Sequence, residues 1–83
     1  MKLEDFKRIT ISEEGALPHR HFKTSEFSFY TNNPNGEFTV YFGNLMHIYY
    51  NDEDLEDFWN DPIFNGKSIS EIIGEVEYLG DEL

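Results

Sequence analysis

The chain has 83 residues, a formal net charge of −11 and no cysteine, which excludes disulfides and thiolate metal sites. Its hydrophobic fraction of 39% lies below the ~45–50% usual for globular chains, yet eight Phe, five Tyr and one Trp supply the large buried areas that disordered chains lack. The composition predicts one folded domain over 1–83 with an aromatic core, near the lower size limit for a single core.

Taken in order, Leu3 and Phe6 have helical spacing, whereas Ile9 and Ile11 alternate as in a strand. This predicts a short opening turn or helix, then a strand over roughly 7–12. "EEG" at 13–15 ends it, and "ALPHRHFKTS" reads as a loop containing Pro18. "EFSFYT" sets Phe27 and Phe29 against Ser28 and Tyr30, the alternation of a half-buried strand. Asn33-Pro34-Asn35-Gly36 suits a turn, because proline presets φ and glycine accepts tight geometry. "EFTVYF" is the second strand, Gly43-Asn44 a two-residue hairpin turn with glycine first, and "LMHIYY" the third strand.

That turn sets the register. Phe42 falls opposite Leu45, Val40 opposite His47 and Phe38 opposite Tyr49, all on one face. The other face carries Tyr41, Met46, Ile48 and Tyr50 with Thr39 and Glu37. Both faces are apolar enough to need cover.

In "NDEDLEDFWND", residues 51–61, six carboxylates surround Leu55, Phe58 and Trp59, whose i, i+3, i+4 spacing is the buried stripe of a short helix. Asn51 is a good N-cap. Asp52, Glu53 and Asp54 occupy the first turn, where the helix dipole favours anions by roughly 0.3–1 kcal/mol each. Glu56, Asp57 and Asp61 have no such reason. Asp52/Glu56, Glu53/Asp57 and Asp57/Asp61 are like charges four apart, each costing about 0.2–0.5 kcal/mol. Pro62 ends the helix. After an Asn65-Gly66 turn, Ser68 and Glu71 form a capping box, and Ile69, Ile72, Ile73 and Val76 follow at helical spacing. Gly74 weakens that helix, and "GEVEYLG" alternatively leaves as a final strand with Val76 and Tyr78 on one side. The fold class expected is α+β: a three- to four-stranded antiparallel β-meander packed with two short helices.

Charge is unevenly divided. Residues 1–43 hold six acids and five bases, a balance of −1; residues 44–83 hold eleven acids and the single base Lys67, a balance of −10. No apolar run approaches the roughly 18 residues of a membrane span, and "MKLEDFKRITIS" lacks a signal-peptide core, so a cytoplasmic protein with no membrane partner is expected. Solubility alone does not call for so lopsided a distribution.

Enzymatic motifs are wanting. There is no Gly-rich phosphate loop, HExxH or GxSxG. Gly66-Lys67-Ser68 resembles the tail of a P-loop, but Asp61 stands where its first glycine belongs. The acids lie on a charged helical surface with nothing to separate their pKa values, so the chain is read as a non-enzyme. His19 and His21, at i, i+2, point to one side of a strand and can share a metal, with Glu26 following. Together with "GEFTVYFG" and the His47–Asn51 spacing, they resemble the HxH-x4-E strands of small cupin barrels. That resemblance implies a metal on His19, His21 and Glu26, although Gly36 comes later than the motif places it. The plainer account, and the one adopted, has no cofactor: His19 and His21 are loop residues beside Arg20 and Lys23, and His47 lies on the inner sheet face against Val40.

Direct nucleic-acid binding is disfavoured, because phosphate neutralisation by Lys and Arg dominates that affinity. The converse fits better, since a compact acidic surface can occupy a groove built for DNA or RNA. In size, charge and lack of cysteine the chain is similar to small acidic phage proteins of the anti-restriction, anti-CRISPR and glycosylase-inhibitor kinds, and to immunity proteins that neutralise nuclease toxins. The expectation is an inhibitor whose partner is a basic nucleic-acid-binding protein or nuclease. Asp52, Glu53, Asp54, Glu56, Asp57 and Asp61 would form the contacting ridge, extended by Glu75, Glu77, Asp81 and Glu82. Tyr41, Met46, Ile48 and Tyr50 would supply adjoining aromatic and apolar contact. An immunity protein is the nearest alternative, and self-association through the tyrosine face a third; the sequence does not set the oligomeric state.

Overall fold

A computed structural model describes residues 1–11, 19–33 and 37–81, Asp81 by its backbone alone. The opening segment is helix α1, Leu3–Thr10. Phe6 is wholly buried, and the Thr10 hydroxyl donates to the Phe6 carbonyl one turn back at 2.8 Å. Glu4 and Asp5 in the first turn and Lys7 and Arg8 in the last suit the helix dipole. The strand expected over 7–12 is therefore corrected: the Leu3/Phe6/Thr10 stripe outweighs the Ile9/Ile11 alternation, and Ile11 is left exposed.

A second correction concerns the loop expected around Pro18. Arg20–Lys23 is strand β1, with Arg20 and Phe22 buried on one side and His21 and Lys23 on the other. The next elements match expectation: β2 at Ser28–Asn32, β3 at Phe38–Phe42 and β4 at Leu45–Tyr49. The turn expected at Asn33–Gly36 lies, apart from Asn33, outside the described residues. Gly43 has φ 60° and Asn44 does not share its sign, as a glycine-first two-residue turn requires. The register is the expected one, with Phe42 opposite Leu45, Val40 opposite His47 and Phe38 opposite Tyr49.

Helix α2 spans Asp52–Phe58 and α3 spans Ile69–Ile72. Between them, Asn65 (φ 54°) and Gly66 (φ 86°) make a tight turn bridged from Phe64 to Lys67. Ser68 and Glu71 form the reciprocal capping box. A single 3-10 turn at Ile73–Glu75 ends the third helix near Gly74, and the chain leaves as β5, Glu77–Asp81.

The five strands form one antiparallel sheet in the order β4-β3-β2-β1-β5. The class is α+β as expected, with five strands where three to four were expected and three α-helices where two were. β5 does not extend the meander; it returns to pair with β1, leaving β4 and β5 as the edges. No helix among the described residues is long and apolar enough to cross a membrane.

The core lies on one face of this sheet. Phe22 and Phe29, opposite each other on β1 and β2, stack at 5.2 Å between centroids. Phe6 meets Phe22 at 5.0 Å, Phe29, Phe58 and Trp59 each at 6.4 Å. Lys7 lies over the Trp59 ring at 4.6 Å, a cation–π contact that ties α1 to the end of α2. Replacing Phe6 by alanine should cost about 3–5 kcal/mol, read as a lower urea midpoint at unchanged slope; a loss under 1 kcal/mol would contradict a core centred on this ring.

Candidate interaction surfaces

Two surfaces carry unusual chemistry, an acidic one on α2 and an aromatic one on the sheet face that the helices leave open. On the first, the Asn51 side chain accepts from the Asp54 N–H at 2.9 Å, and the Asp54 carboxylate accepts from the Tyr50 N–H at 3.3 Å. Asp52, Glu53 and Asp54 fill the first turn as expected. Their charge thus has a local structural use.

Asp61 behaves differently from expectation. The helix ends at Phe58, so Asp61 does not stand four residues above Asp57 on a helical face. It is half-buried and accepts the Tyr49 hydroxyl at 3.0 Å. Burial of Tyr49, then that hydrogen bond and the negative charge of Asp61 and Asp57, push the phenol well above its ordinary value. Asp61 is a strut between β4 and the segment after α2. Glu56 and Asp57 remain as exposed carboxylates, and neither ion pair recorded among the described residues, Arg8–Asp5 at 3.0 Å and Lys23–Glu77 at 3.7 Å, reaches α2.

The proposed extension of the ridge is not contiguous in the sheet. Glu77 sits on β5, the edge opposite β4, and pairs with Lys23. Glu75 is exposed in the 3-10 turn; Asp81 belongs to β5 and Glu82 lies outside the described residues.

On the open sheet face, one row crosses all five strands: Gly80, His21, Tyr30, Tyr41 and Met46 stand directly opposite one another in turn. His21 stacks on Tyr30 at 5.3 Å, and Tyr30 on Tyr41 at 4.6 Å. His19, two residues before His21 and on the same side, meets Tyr30 at 5.0 Å and Tyr41 at 5.8 Å. Alongside this ladder runs a shallow groove of about 360 Å³, bounded by Ser28, Gly43 and Leu79. Met46 and Tyr50 are exposed, and Tyr41 and Ile48 half-buried.

The histidines therefore do not form a basic loop patch with Arg20, which points into the core from the other face of β1. The sheet is open, with two edges, and no group of three or more His, Asp or Glu able to hold a metal occurs among the described residues. Glu26 is exposed in the β1–β2 connection, bonded through its N–H to Thr24 Oγ1. His47 lies on the core face opposite Val40, as expected. The His21–Tyr30–Tyr41 ladder was missed for want of β1; the alternation His19, His21, Lys23 against Arg20, Phe22 is the signal that would have revealed it.

These features define a small α+β domain with one acidic helix and one aromatic sheet face. No protein-family model, curated protein or solved structure matches the chain.

The Tyr49–Asp61 bond has a pH signature. A phenol whose folded-state pKa is raised contributes stability that is complete below the unfolded value near 10 and is lost as pH rises above it. Tyr49→Phe should cost about 1 kcal/mol at pH 7 and lose less stability than the parent between roughly pH 9 and 11, measured by thermal melts across that window. Parallel curves for the two proteins would contradict the linkage.

Proposed function

We propose that the protein is a non-enzymatic binding module that docks its acidic α2 face on the basic nucleic-acid groove of a partner enzyme and excludes the natural substrate. The observation that carries this reading is the pair of exposed carboxylates Glu56 and Asp57 on α2, which have neither a capping role nor an ion-pair partner among the described residues. They lie in a half-chain whose balance is eleven acids against one base, −10. Retaining like charges at i, i+4 on Asp52/Glu56 and Glu53/Asp57 costs stability, and a basic partner recovers that cost on binding.

Asp52 and Glu53 adjoin this pair, and exposed Tyr50 immediately precedes the helix, where a rigid aromatic side chain can anchor the contact. Docking of this kind is steered by long-range attraction and weakens as salt shortens the Debye length. The partner is a nuclease or another basic nucleic-acid-handling protein, and the reading implies work in the cytoplasm. It covers a phage-type inhibitor and a toxin-neutralising immunity protein alike, since both present the same chemistry to their target.

Charge reversal tests this, confined to Glu56 and Asp57 because Asp61 also holds Tyr49. On a column of the immobilised protein, a basic nucleic-acid enzyme from lysate should bind and be released by duplex DNA. The Glu56→Lys/Asp57→Lys variant should lose that capture while melting at the same or a higher temperature, since two like-charge repulsions are relieved. Equal capture by the variant would sink the reading.

A further inference from the structure

The two edges of the sheet are unequal. β5 carries the exposed Glu77, and its pairing with β1 is irregular between His21 and Phe22, both features that discourage a further strand. β4 has none of these protections. It reads Leu45-Met46-His47-Ile48-Tyr49, and the whole stretch from Phe38 to Asn51 contains no Asp, Glu, Lys or Arg. Among the described residues no strand pairs with its outer side.

The hairpin fixes which peptide groups face outward. Phe42 and Leu45 flank the two-residue turn and form a hydrogen-bonded pair, so by alternation Val40/His47 and Phe38/Tyr49 do likewise. Met46 and Ile48 then direct their N–H and C=O groups away from β3. The next outward donor, Tyr50 N–H, is already bound by Asp54. The open edge is thus two residues long and self-complementary under a twofold axis: Met46 of one copy exchanges two hydrogen bonds with Ile48 of another, and the reverse, with His47 facing His47 at the axis.

Charge selects this occupant. An acidic strand of the β5 type brings its carboxylates toward α2, and a basic segment is drawn to α2 itself, whereas a second β4 brings no charge to the uncharged edge and meets only the long-range repulsion between the two acidic bodies. Antiparallel pairing also sends the two acidic α2 helices to opposite ends of a five-residue strand, about 17 Å apart at ~3.4 Å per residue and beyond the ~8 Å Debye length of physiological salt. We propose that the protein forms a weak twofold dimer by antiparallel pairing of β4 with β4 of a second copy, joining two sheets into one of ten strands. The joint is confined to a two-residue edge and the exposed Leu45 and Met46, and the association expected is weak, roughly micromolar to millimolar. This inference does not rest on the acidic-face reading, and salt acts on the two with opposite sign.

Sedimentation of the full chain up to about 1 mM, at low and high salt, decides the matter. A reversible dimer that tightens several-fold as salt screens the repulsion between two chains of −11 is expected. Met46→Lys should remain monomeric throughout with an unchanged circular dichroism spectrum, because Met46 is exposed and its substitution leaves the β3 pairing intact. A parent protein that stays monomeric in high salt, or a Met46→Lys variant that dimerises equally, overturns the proposal. Register is read separately in the cysteine-free chain. His47→Cys places thiols across a non-hydrogen-bonded pair, with Cα atoms about 4.5 Å apart and within disulfide reach. It should oxidise to a covalent dimer, and Lys67→Cys, in the exposed turn, should not; equal cross-linking of both overturns the pairing.

Discussion

The Phe6 ring is the contact on which the rest of the molecule depends. It is the point where α1, β1, β2 and α2 meet, through Phe22, Phe29, Phe58 and Trp59. In a chain this short the folded surface is large relative to the volume enclosed, so stability must come from a few large side chains that each bury much area. Among the described residues, eight of the twelve buried core hydrophobics are aromatic: Phe6, Phe22, Phe29, Phe38, Tyr49, Phe58, Trp59 and Phe64. Because the buried residues of α1, α2 and α3 join one cluster on one side of the sheet, the opposite side carries the half-buried ladder of His21, Tyr30 and Tyr41. The open aromatic face follows from the one-sided core.

Charge is arranged around that core by a similar economy of position. Three acids of α2 serve its first turn, Asp54 also holds Tyr50, and Asp61 turns inward to Tyr49. What looks in sequence like a continuous acidic run is therefore several structures in succession: a cap, a helix face and a strut. The residual charge is concentrated on Glu56 and Asp57 with their helical neighbours, and the adjoining β3–β4 hairpin is uncharged from Phe38 to Asn51. An acidic face and a neutral edge thus lie side by side, and they suit different kinds of partner.

Where local chemistry is strict, the sequence was readable. Gly43-Asn44 and Asn65-Gly66 demand positive φ, and both turned the chain where expected. The first of them carried the register of β3 on β4 with it, down to Phe38 against Tyr49. Asn51 and Ser68 marked two helix starts because a side chain there satisfies an otherwise unbonded N–H. The failures came where tertiary contacts decide. RHFK has one apolar residue and no strand composition, yet it lies inside the sheet because β2 and β5 pair with it on both sides. KRIT satisfies either period until Phe6 finds its cluster. The Asp61 partnership joins residues twelve apart with no spacing rule behind it. Half of the candidate chemistry, the acids of α2, was legible on these terms; the aromatic ladder was not, because it exists only once β1 is in the sheet.

The position of β5 governs the order in which such a chain can assemble. β2, β3 and β4 are joined by short connections, so their pairings close small loops and form by local steps. β5 must instead bring Glu77–Asp81 back to Arg20–Lys23, across nearly the whole chain, and its closure costs the most entropy. Until it docks, β1 is itself an edge, with Lys23 and His21 facing the open face and Phe22 without its Tyr78 neighbour at 5.2 Å. With β5 in place, β1, the second strand from that edge, is paired on both sides, so the contact most distant in sequence completes the sheet.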